Sequence, residues 1–591
     1  MKFKYIPVFV ALFAVSFASC DFLEKEPSDR LVDEEFYKDE ADLAALTGGL
    51  YNTAWFDFNR HFYHAVGDGF ANNLWGPYDK YLAPFNNISD ISSSGAVDEG
   101  WNSLYNVVNQ SSMMIRKIKE YSSSSIPDEV KNRYIGEARF MRGLAYWYLA
   151  SCWGDVPIVE DNAAIIMTPL IPKVKQEDVF KYAIADMEYA ACTLPRTQNN
   201  AGRVTRYSAL GMLSRFFLVY AGYKAAHDEQ TPATYNQKYR DATYLEYAKL
   251  AAFAVIKISG LSLQQNYKDL FTTDNNNNSE SLFSLQWVPG VYAYGTSNTH
   301  QNWLGYSTAI VAGQVAEGSD IYASADMIKS YSNDDLRLHS TWFNYRDTYS
   351  EICKIYGGLT FDRTQNLSDM IYRANAKKGI VGSYEDNGVS YENNSGLNTY
   401  MLRLAEVYLN YAEASLANTT DVLTSRTDNG IHDTKVKKTP LDFFNDVYSR
   451  AHNGEKLTSV DMTTLLRERR LEFALEGRYW YDLLAWSYYD RSNTINYILG
   501  DQNRTYQYYY RTQEMRYEID KTTKPIGVVG VTSDNFNFLL PYPESEVTQN
   551  PYLSGDAVSY SEIKALEKEI ASYESVLMSA YQSTVVGESG N

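Results

Sequence analysis

The side chains of this sequence best suited to chemistry are rings and amides rather than paired acids or nucleophiles. The stretch "LQWVPGVYAYGTSNTHQNWLGY", Leu285 to Tyr306, holds Trp287, Tyr292, Tyr294, Trp303 and Tyr306 beside Asn298, Gln301 and Asn302, and has no Lys, Arg, Asp or Glu. An earlier stretch, "DGFANNLWGPYDKY", repeats the mixture with Asp68, Asn72, Asn73, Trp75, Tyr78 and Tyr81. Aromatic faces take the apolar C–H face of a pyranose ring, and amides and carboxylates take the hydroxyls around its rim. Both clusters are therefore expected to form exposed binding surfaces for a polar, ring-shaped ligand, with Trp75, Trp287 and Trp303 as the leading residues. Packing of a loop against the scaffold is the competing reading for each ring.

Catalytic chemistry has weaker support. A glycosidase needs two carboxylates about 5 to 10 Å apart across the scissile bond. With 73 acidic residues the sequence neither places such a pair nor removes it, so a secreted hydrolase stays open as the alternative. "RHFYH" sets His61 and His64 three apart, a spacing that could share a metal, but no third ligand follows from the sequence. No GxSxG, HExxH or phosphate-cradling glycine loop occurs. The expectation is no catalytic residue, no cofactor and no metal. After Cys20, three cysteines remain, Cys152, Cys192 and Cys353, with no disulfide or zinc spacing; the first two lie in apolar helical stretches and read as inert thiols. A formal net charge of −19, with no basic cluster outside one helix, argues against nucleic acid.

The elements that must hold these clusters are mainly helical. Helical periodicity runs from Trp101 to Gly260 and returns from Leu397 to Tyr489. Ala183, Met187, Ala190 and Pro195 sit at offsets 0, 4, 7 and 12, the pattern of the second helix in a tetratricopeptide-like hairpin, and Ala248, Ala252, Val255 and Gly260 repeat it. Residues 261 to 396 change texture to Asn, Ser, Gly and Tyr, with "TTDNNNNSES" a loop, and Pro289, Gly290, Gly295 and Gly305 bar a helix over the first aromatic stretch. The fold expected is mainly α, a hairpin scaffold over about 20–260 and 397–553 with a loop-rich, ligand-binding insertion over about 261–396.

The ends carry their own signals. "MKFKYIPVFVALFAVSFASC" has Lys2 and Lys4, an apolar run from Ile6 to Phe17 too short to span a bilayer, and small residues before Cys20. Residues 1–19 thus read as a signal peptide, and the Cys after small residues resembles a bacterial lipobox, which implies acylation of Cys20 and anchoring to a membrane. A plain secreted chain with an incidental Cys20 is the alternative. At the other end, "SYSEIKALEKEIASYESVLMSAY" places Ile563, Leu566, Ile570, Tyr573, Leu577 and Ala580 at spacings of three and four, so residues 554–591 form a helical extension whose stripe must be buried against something.

"RYIGEARFMRGLAYWYLASCWGDVPIV", Arg133 to Val159, resembles the hallmark helix of the SusD/RagB family, surface glycan-binding lipoproteins of Bacteroidetes. "CDFLEKEPSDRLVDEEFYKDEADLAALTGGLYNTAW", "GRVTRYSALGMLSRFFLVYAG", "MLRLAEVYLNYAEA", "LLRERRLEFALEGRYWYDLLAW" and "LLPYPESEVTQNPYL" agree with it in the family's order, over most of residues 20 to 553. The resemblance implies a non-catalytic receptor on the outer membrane, facing the cell exterior, that delivers a glycan to a SusC-like TonB-dependent transporter. A family member that captures peptide or glycoprotein also fits uncharged aromatic loops. The resemblance further implies a ligand-contact loop near residues 68–81. Within "LLRERRLEFALEGRYWYDLLAW", Leu466, Arg470, Phe473 and Gly477 share a face, and Arg467 and Arg469 alternate with Glu468 and Glu472, a pattern that predicts ion pairs along the helix. Glu137, Arg139 and Arg142 are likewise expected in an ion-paired scaffold rather than a ligand site.

Overall fold

The computed structural model of the chain describes residues 37–165, 169–227, 239–289, 295–305, 321–362, 373–387, 394–417, 420–426, 438–500, 507–511, 516–520, 528 and 530–586. A short helix α1, Glu40–Gly48, precedes α2, Gly95–Tyr121, α3, Asp128–Trp153, α4, Gln176–Thr193, α5, Arg206–Ala226, and α6, Ala242–Ile258. The starts of α1, α2, α5 and α6 are fixed by side chains that accept otherwise unpaired backbone N–H groups. Ser94 caps α2, Thr205 and Ser208 form a capping box on α5, and Asp241 accepts from Thr243 and Tyr244 on α6.

Successive helices from α2 to α6 pack against one another, as the offsets of small residues predict. Ala183, Met187, Ala248 and Ala252 are fully buried. Gly143 on α3 shows why small residues are needed, since a Cβ there would lie 2.9 Å from the Ala183 carbonyl oxygen and 3.0 Å from Asp186 Cβ.

Past a loop-rich stretch that carries the short helix α7, His300–Leu304, come α8, Leu404–Ser415, α9, Pro440–Ala451, α10, Met462–Glu472, and α11, Tyr479–Leu499; α12, Ile563–Val586, closes the described chain. α8 lies on α6 and α9, α11 packs on α5, and α12 packs on α4 and α6.

The alternating charges of α10 do not pair along the helix. Glu468 meets Arg337, Glu472 meets Arg337, Arg403 and Arg450, Arg469 meets Asp482, and Arg470 meets Asp326. The reason is burial: α10 has few solvent-facing positions, so each charge needs a partner from another element to offset its desolvation. Arg139 and Arg142 of α3 both grip Asp186, and Glu137 binds Arg203 and Tyr51.

The strands are short: β1, Leu74–Trp75, β2, Ser281–Leu285, β3, Tyr322–Ala323, β4, Trp342–Phe343, β5, Thr348–Tyr349, β6, Leu359–Thr360, β7, Asn375–Ala376, and β8, Thr399–Arg403. A four-stranded antiparallel sheet has the order β1-β3-β7-β4, while β2 pairs with β8 and β5 with β6. β8 runs straight into α8, so the β2–β8 pair fastens the loop-rich half to the helices. The asparagine tract between α6 and β2 is a loop, but its amides work as struts. Asn275 donates to the Asp269 carbonyl, Asn276 to that of Gly396, Asn277 exchanges hydrogen bonds with Gln286, and Asn278 donates to the Tyr400 hydroxyl.

Candidate functional site

α7 is little more than one turn, and its side chains point in separate directions. His300 Nε2 donates to the Asn59 carbonyl at 2.6 Å. Gln301 donates to the Gly382 carbonyl at 2.6 Å and accepts from Val381 N at 2.7 Å. Trp303 Nε1 donates to Asp79 Oδ2 at 3.0 Å. Asn302, with Thr299 just before the helix, faces a cavity of about 210 Å³ that Phe56, Arg60, His61, Trp303 and Asn394 complete.

The two aromatic stretches meet beside this cavity. Asp79 Oδ1 accepts from Tyr81 N and Leu82 N, both at 2.9 Å, while its other oxygen holds the Trp303 indole, so one carboxylate fixes a turn of the first stretch and a ring of the second. His61 stacks on Tyr81 at 3.6 Å and 11°, and Trp303 stands edge-on to His61 at 4.9 Å. His61 Nδ1 lies 2.8 Å from Glu99 Oε2, and the Lys80 ammonium is 4.8 Å from the Tyr81 ring centroid. Arg60 and His61 come from a stretch, Phe58–Phe62, wound as a π-helix, whose wider turn changes which residues face out.

Two polar atoms at the cavity have no hydrogen-bond partner among the described residues. They are Asn302 Oδ1 and Thr299 Oγ1, both buried. A buried acceptor or hydroxyl left unpaired is costly, so each atom would gain from a ligand hydroxyl or a water that reached it. Among the described residues the lining holds no carboxylate, and the nearby Asp79 and Glu99 are engaged by Trp303 and His61.

The structure relocates most of the other expected site residues. Trp75, Trp287 and Trp303 are not open faces: each is buried. Trp287 packs edge-on against Phe56 at 6.4 Å, and its indole donates to Thr399 Oγ1 at 3.0 Å. Trp75 lies in β1, an edge strand, where it is buried against the core, and Trp303 offers the cavity only part of its surface. The physical reason is that uncharged Asn, Ser and Thr side chains give these rings hydrogen-bonded surroundings inside the protein, so lack of charge marked interior rather than exposure. Asp68 is fully buried and accepts from Leu475 N at 3.0 Å and Gly477 N at 2.9 Å, clamping the segment after α10. There Gly67 and Gly477 approach so closely that a Cβ on Gly67 would sit 2.2 Å from the Gly477 backbone. Asn73 is likewise buried, with Oδ1 accepting from Arg470 Nε at 2.7 Å. Tyr78 is the exposed ring of the set, at 81%. Tyr292, Tyr294 and Tyr306 lie outside the described residues. Arg60, Thr299 and Asn394 line the cavity, and Asp79 stands beside it, without having stood out as binding residues; only the spacing of Asp79 before Tyr81 and Leu82, an aspartate that caps a turn, could have signalled one of them.

The histidines do not converge on one point. His61 turns to Glu99, while His64 Nδ1 lies 3.2 Å from Asp68 Oδ2. Burial, then neighbouring His64, holds the His300 imidazole well below its ordinary range and so neutral. Among the described residues no group of three His, Cys, Asp or Glu side chains is disposed to hold a metal. Burial pushes the Cys152 thiol up to about 12 and that of Cys192 up to about 11, which removes thiolate character from both.

Fold and cavity together define a protein of helical hairpins with a loop-rich half that frames a small recess of amides, hydroxyls and aromatic edges. The chain belongs to the SusD family. The family model described as "SusD family" matches residues 219–557, and one described as "Starch-binding associating with outer membrane" matches residues 21–218. A SusD-like protein of Bacteroides ovatus is 35% identical over 586 residues, covering 95% of this chain and 99% of that protein. A crystal structure described as with xylogluco-oligosaccharide is 34% identical with a TM-score of 0.76, covering 88% of this chain and 99% of the other. A laminarin-binding SusD-like protein shares the fold at 17% identity and a TM-score of 0.62, covering 87% of this chain and 98% of its own.

Proposed function

We propose that this protein captures a glycan at the cell surface and passes it to a SusC-like TonB-dependent transporter, without cleaving it. The observation that carries the reading is the pair of unpartnered polar atoms, Asn302 Oδ1 and Thr299 Oγ1, beside the Trp303 edge and the His61–Tyr81 stack. A sugar hydroxyl would satisfy those atoms while its ring lies against the aromatic edges. Family membership and the 34% identical relative solved with xylogluco-oligosaccharide support a glycan as ligand. Among the described residues the cavity lining has no pair of carboxylates of the kind hydrolysis requires, which supports capture over cleavage. The family description "associating with outer membrane", together with the lipobox-like start, supports anchoring through an acylated Cys20. No helix among the described residues is long and apolar enough to cross a membrane.

Affinity electrophoresis against a polysaccharide panel that includes xyloglucan, laminarin and starch, run beside reducing-end assays, tests the proposal. Retarded migration with no new reducing ends is expected. Reducing ends that rise in step with protein concentration would overturn capture in favour of hydrolysis.

A further inference from the structure

The β5–β6 hairpin ends in a tip that the capture site leaves unused. Its turn is a 3-10 helix, Lys354–Tyr356, entered through Cys353 at φ +57° and left through Gly357 at φ +85° and Gly358 at φ +103°. Ile355 is 60% exposed and Tyr356 81% exposed. A flexible loop would hide or average such side chains, but this turn is held stiffly. The buried Asp386 carboxylate accepts from Cys353 N at 2.8 Å, Lys354 N at 2.7 Å, Ser383 N at 2.9 Å and Ser383 Oγ at 3.1 Å. Lys354 Nζ donates to the Asp386 carbonyl at 2.6 Å, and Lys377 pairs with Glu351 at the hairpin base at 2.8 Å.

The tip is also tied to the cavity. Val381 and Gly382, which lead into the Ser383–Asp386 clamp, are held by Gln301, the neighbour of Asn302 and Trp303 on α7. β1, which leads into the Tyr78–Tyr81 turn beside the cavity, and β4, which leads into β5, are the outer strands of one sheet. Three strand spacings separate them, roughly 14 Å. Cavity and tip are thus two braced points on the loop-rich half, linked through Gln301, the Val381–Gly382 backbone and Asp386.

We infer that the Ile355–Tyr356 tip is an outlying subsite for the same glycan, with Tyr356 stacking on a ring several units along the chain from the one held in the cavity. The inference rests on the glycan-capture reading. A pre-positioned aromatic loses little conformational freedom on binding, and a second contact on one ligand acts at high effective concentration, so the tip matters only for chains long enough to reach it. One tyrosine and one isoleucine are too little surface for a protein partner, which needs roughly 800 Å² on each side.

Isothermal titration with xyloglucan polymer and with short xylogluco-oligosaccharides separates the possibilities, using wild-type protein, Tyr356→Ala, Tyr356→Phe and Asn302→Ala. The subsite predicts that Tyr356→Ala weakens polymer binding about tenfold, leaves the short oligosaccharide unchanged, and is rescued by phenylalanine, the scale at which truncated aromatic anchors register. Asn302→Ala should weaken both lengths. Tyr356→Ala that matches wild type on polymer, or that weakens both lengths equally, overturns the subsite while leaving capture intact. Unchanged polymer binding with loss of transporter co-purification overturns it in favour of a docking role. Wild-type protein that binds neither xyloglucan nor any other polysaccharide in the panel overturns the capture reading, and the subsite falls with it.

Discussion

Asn302 and Trp287 come from the same uncharged stretch and have opposite duties. Trp287 is enclosed, with its indole bonded to Thr399 and its ring against Phe56, so it belongs to the interior. Trp287→Ala is expected to lower stability by about 3–5 kcal/mol, the cost of emptying a large aromatic site, measured by denaturant unfolding. A loss of glycan affinity with unchanged unfolding would show instead that Trp287 contacts ligand. Asn302 Oδ1 has no protein partner to lose, so Asn302→Ala should leave the melting temperature unchanged. It should weaken glycan binding by about 1 kcal/mol, a several-fold rise in Kd. Residue types alone could not separate these two roles. Both occur in the same Gly- and Asn-rich texture, and only the β2–β8 pairing, which draws Asn398 and Thr399 beside Trp287, decides which side chain is enclosed.

At the scale of an element, the last helix shows how far periodicity reaches. The stripe read from spacing is the packed face of α12: Leu566, Ile570 and Leu577 are buried, Ile563 and Tyr573 are half-buried, and Ala580 lies exposed at its end. The spacing could not say what covers the stripe; in the structure it is the protein's own α4 and α6, with Glu567 on Lys181 and Glu569 on Arg139 at the rim. Spacing also gave no sign that α12 would set one carboxylate against another. Glu188 of α4 is fully buried with both oxygens unpartnered among the described residues, and burial, then Glu574 and Glu569, push it well above the usual carboxylate range. Burial pushes Glu574 up to about 7, opposed by Lys224 of α5 and the Tyr247 hydroxyl of α6. Tyr244 of α6 and Arg139 of α3 complete the charged and titratable surroundings. A carboxyl whose folded pKa is raised takes up a proton on docking. Its contribution is therefore present below the ordinary glutamate range and is lost as pH rises through about 7. Protection factors over residues 563–577, exchange corrected for its base-catalysed intrinsic rate, should accordingly be larger at pH 5 than at pH 8, and Glu188→Gln should flatten that difference. Equal protection factors at both pH values in the wild type would show that the carboxylates do not govern docking.

At the scale of the whole molecule, the helical half was legible because a 3.6-residue period and small residues at fixed offsets describe the faces that touch. The loop-rich half was not, because its order comes from long-range polar contacts that leave no local period. Arg403 is the knot of those contacts: it binds Glu280 beside β2, Glu472 at the end of α10 and Glu476 beyond it, and it shares Glu472 with Arg337 and Arg450. Lys378 of the loop-rich half also reaches Glu476, at 2.9 Å, so one buried network joins both halves. Burial pushes Glu472 up, but Arg450, Arg403 and Arg337 overcome it and hold the carboxyl down at about 2. This is the reverse of the α12 case. A depressed folded pKa contributes stability that is present above the ordinary glutamate range and is lost as pH falls toward about 2. Removing Arg403 leaves three buried carboxylates short of a partner, so Arg403→Met is expected to cost about 3–5 kcal/mol at pH 7. Because Glu472 then rises toward its ordinary range, acid unfolding followed by far-ultraviolet circular dichroism should begin at higher pH than in the wild type. An unchanged acid midpoint alongside the loss at pH 7 would mean that Arg337 and Arg450 alone hold Glu472 ionised and that Arg403 acts through packing against the rings of Tyr400 and Phe473, both within 6 Å of its guanidinium.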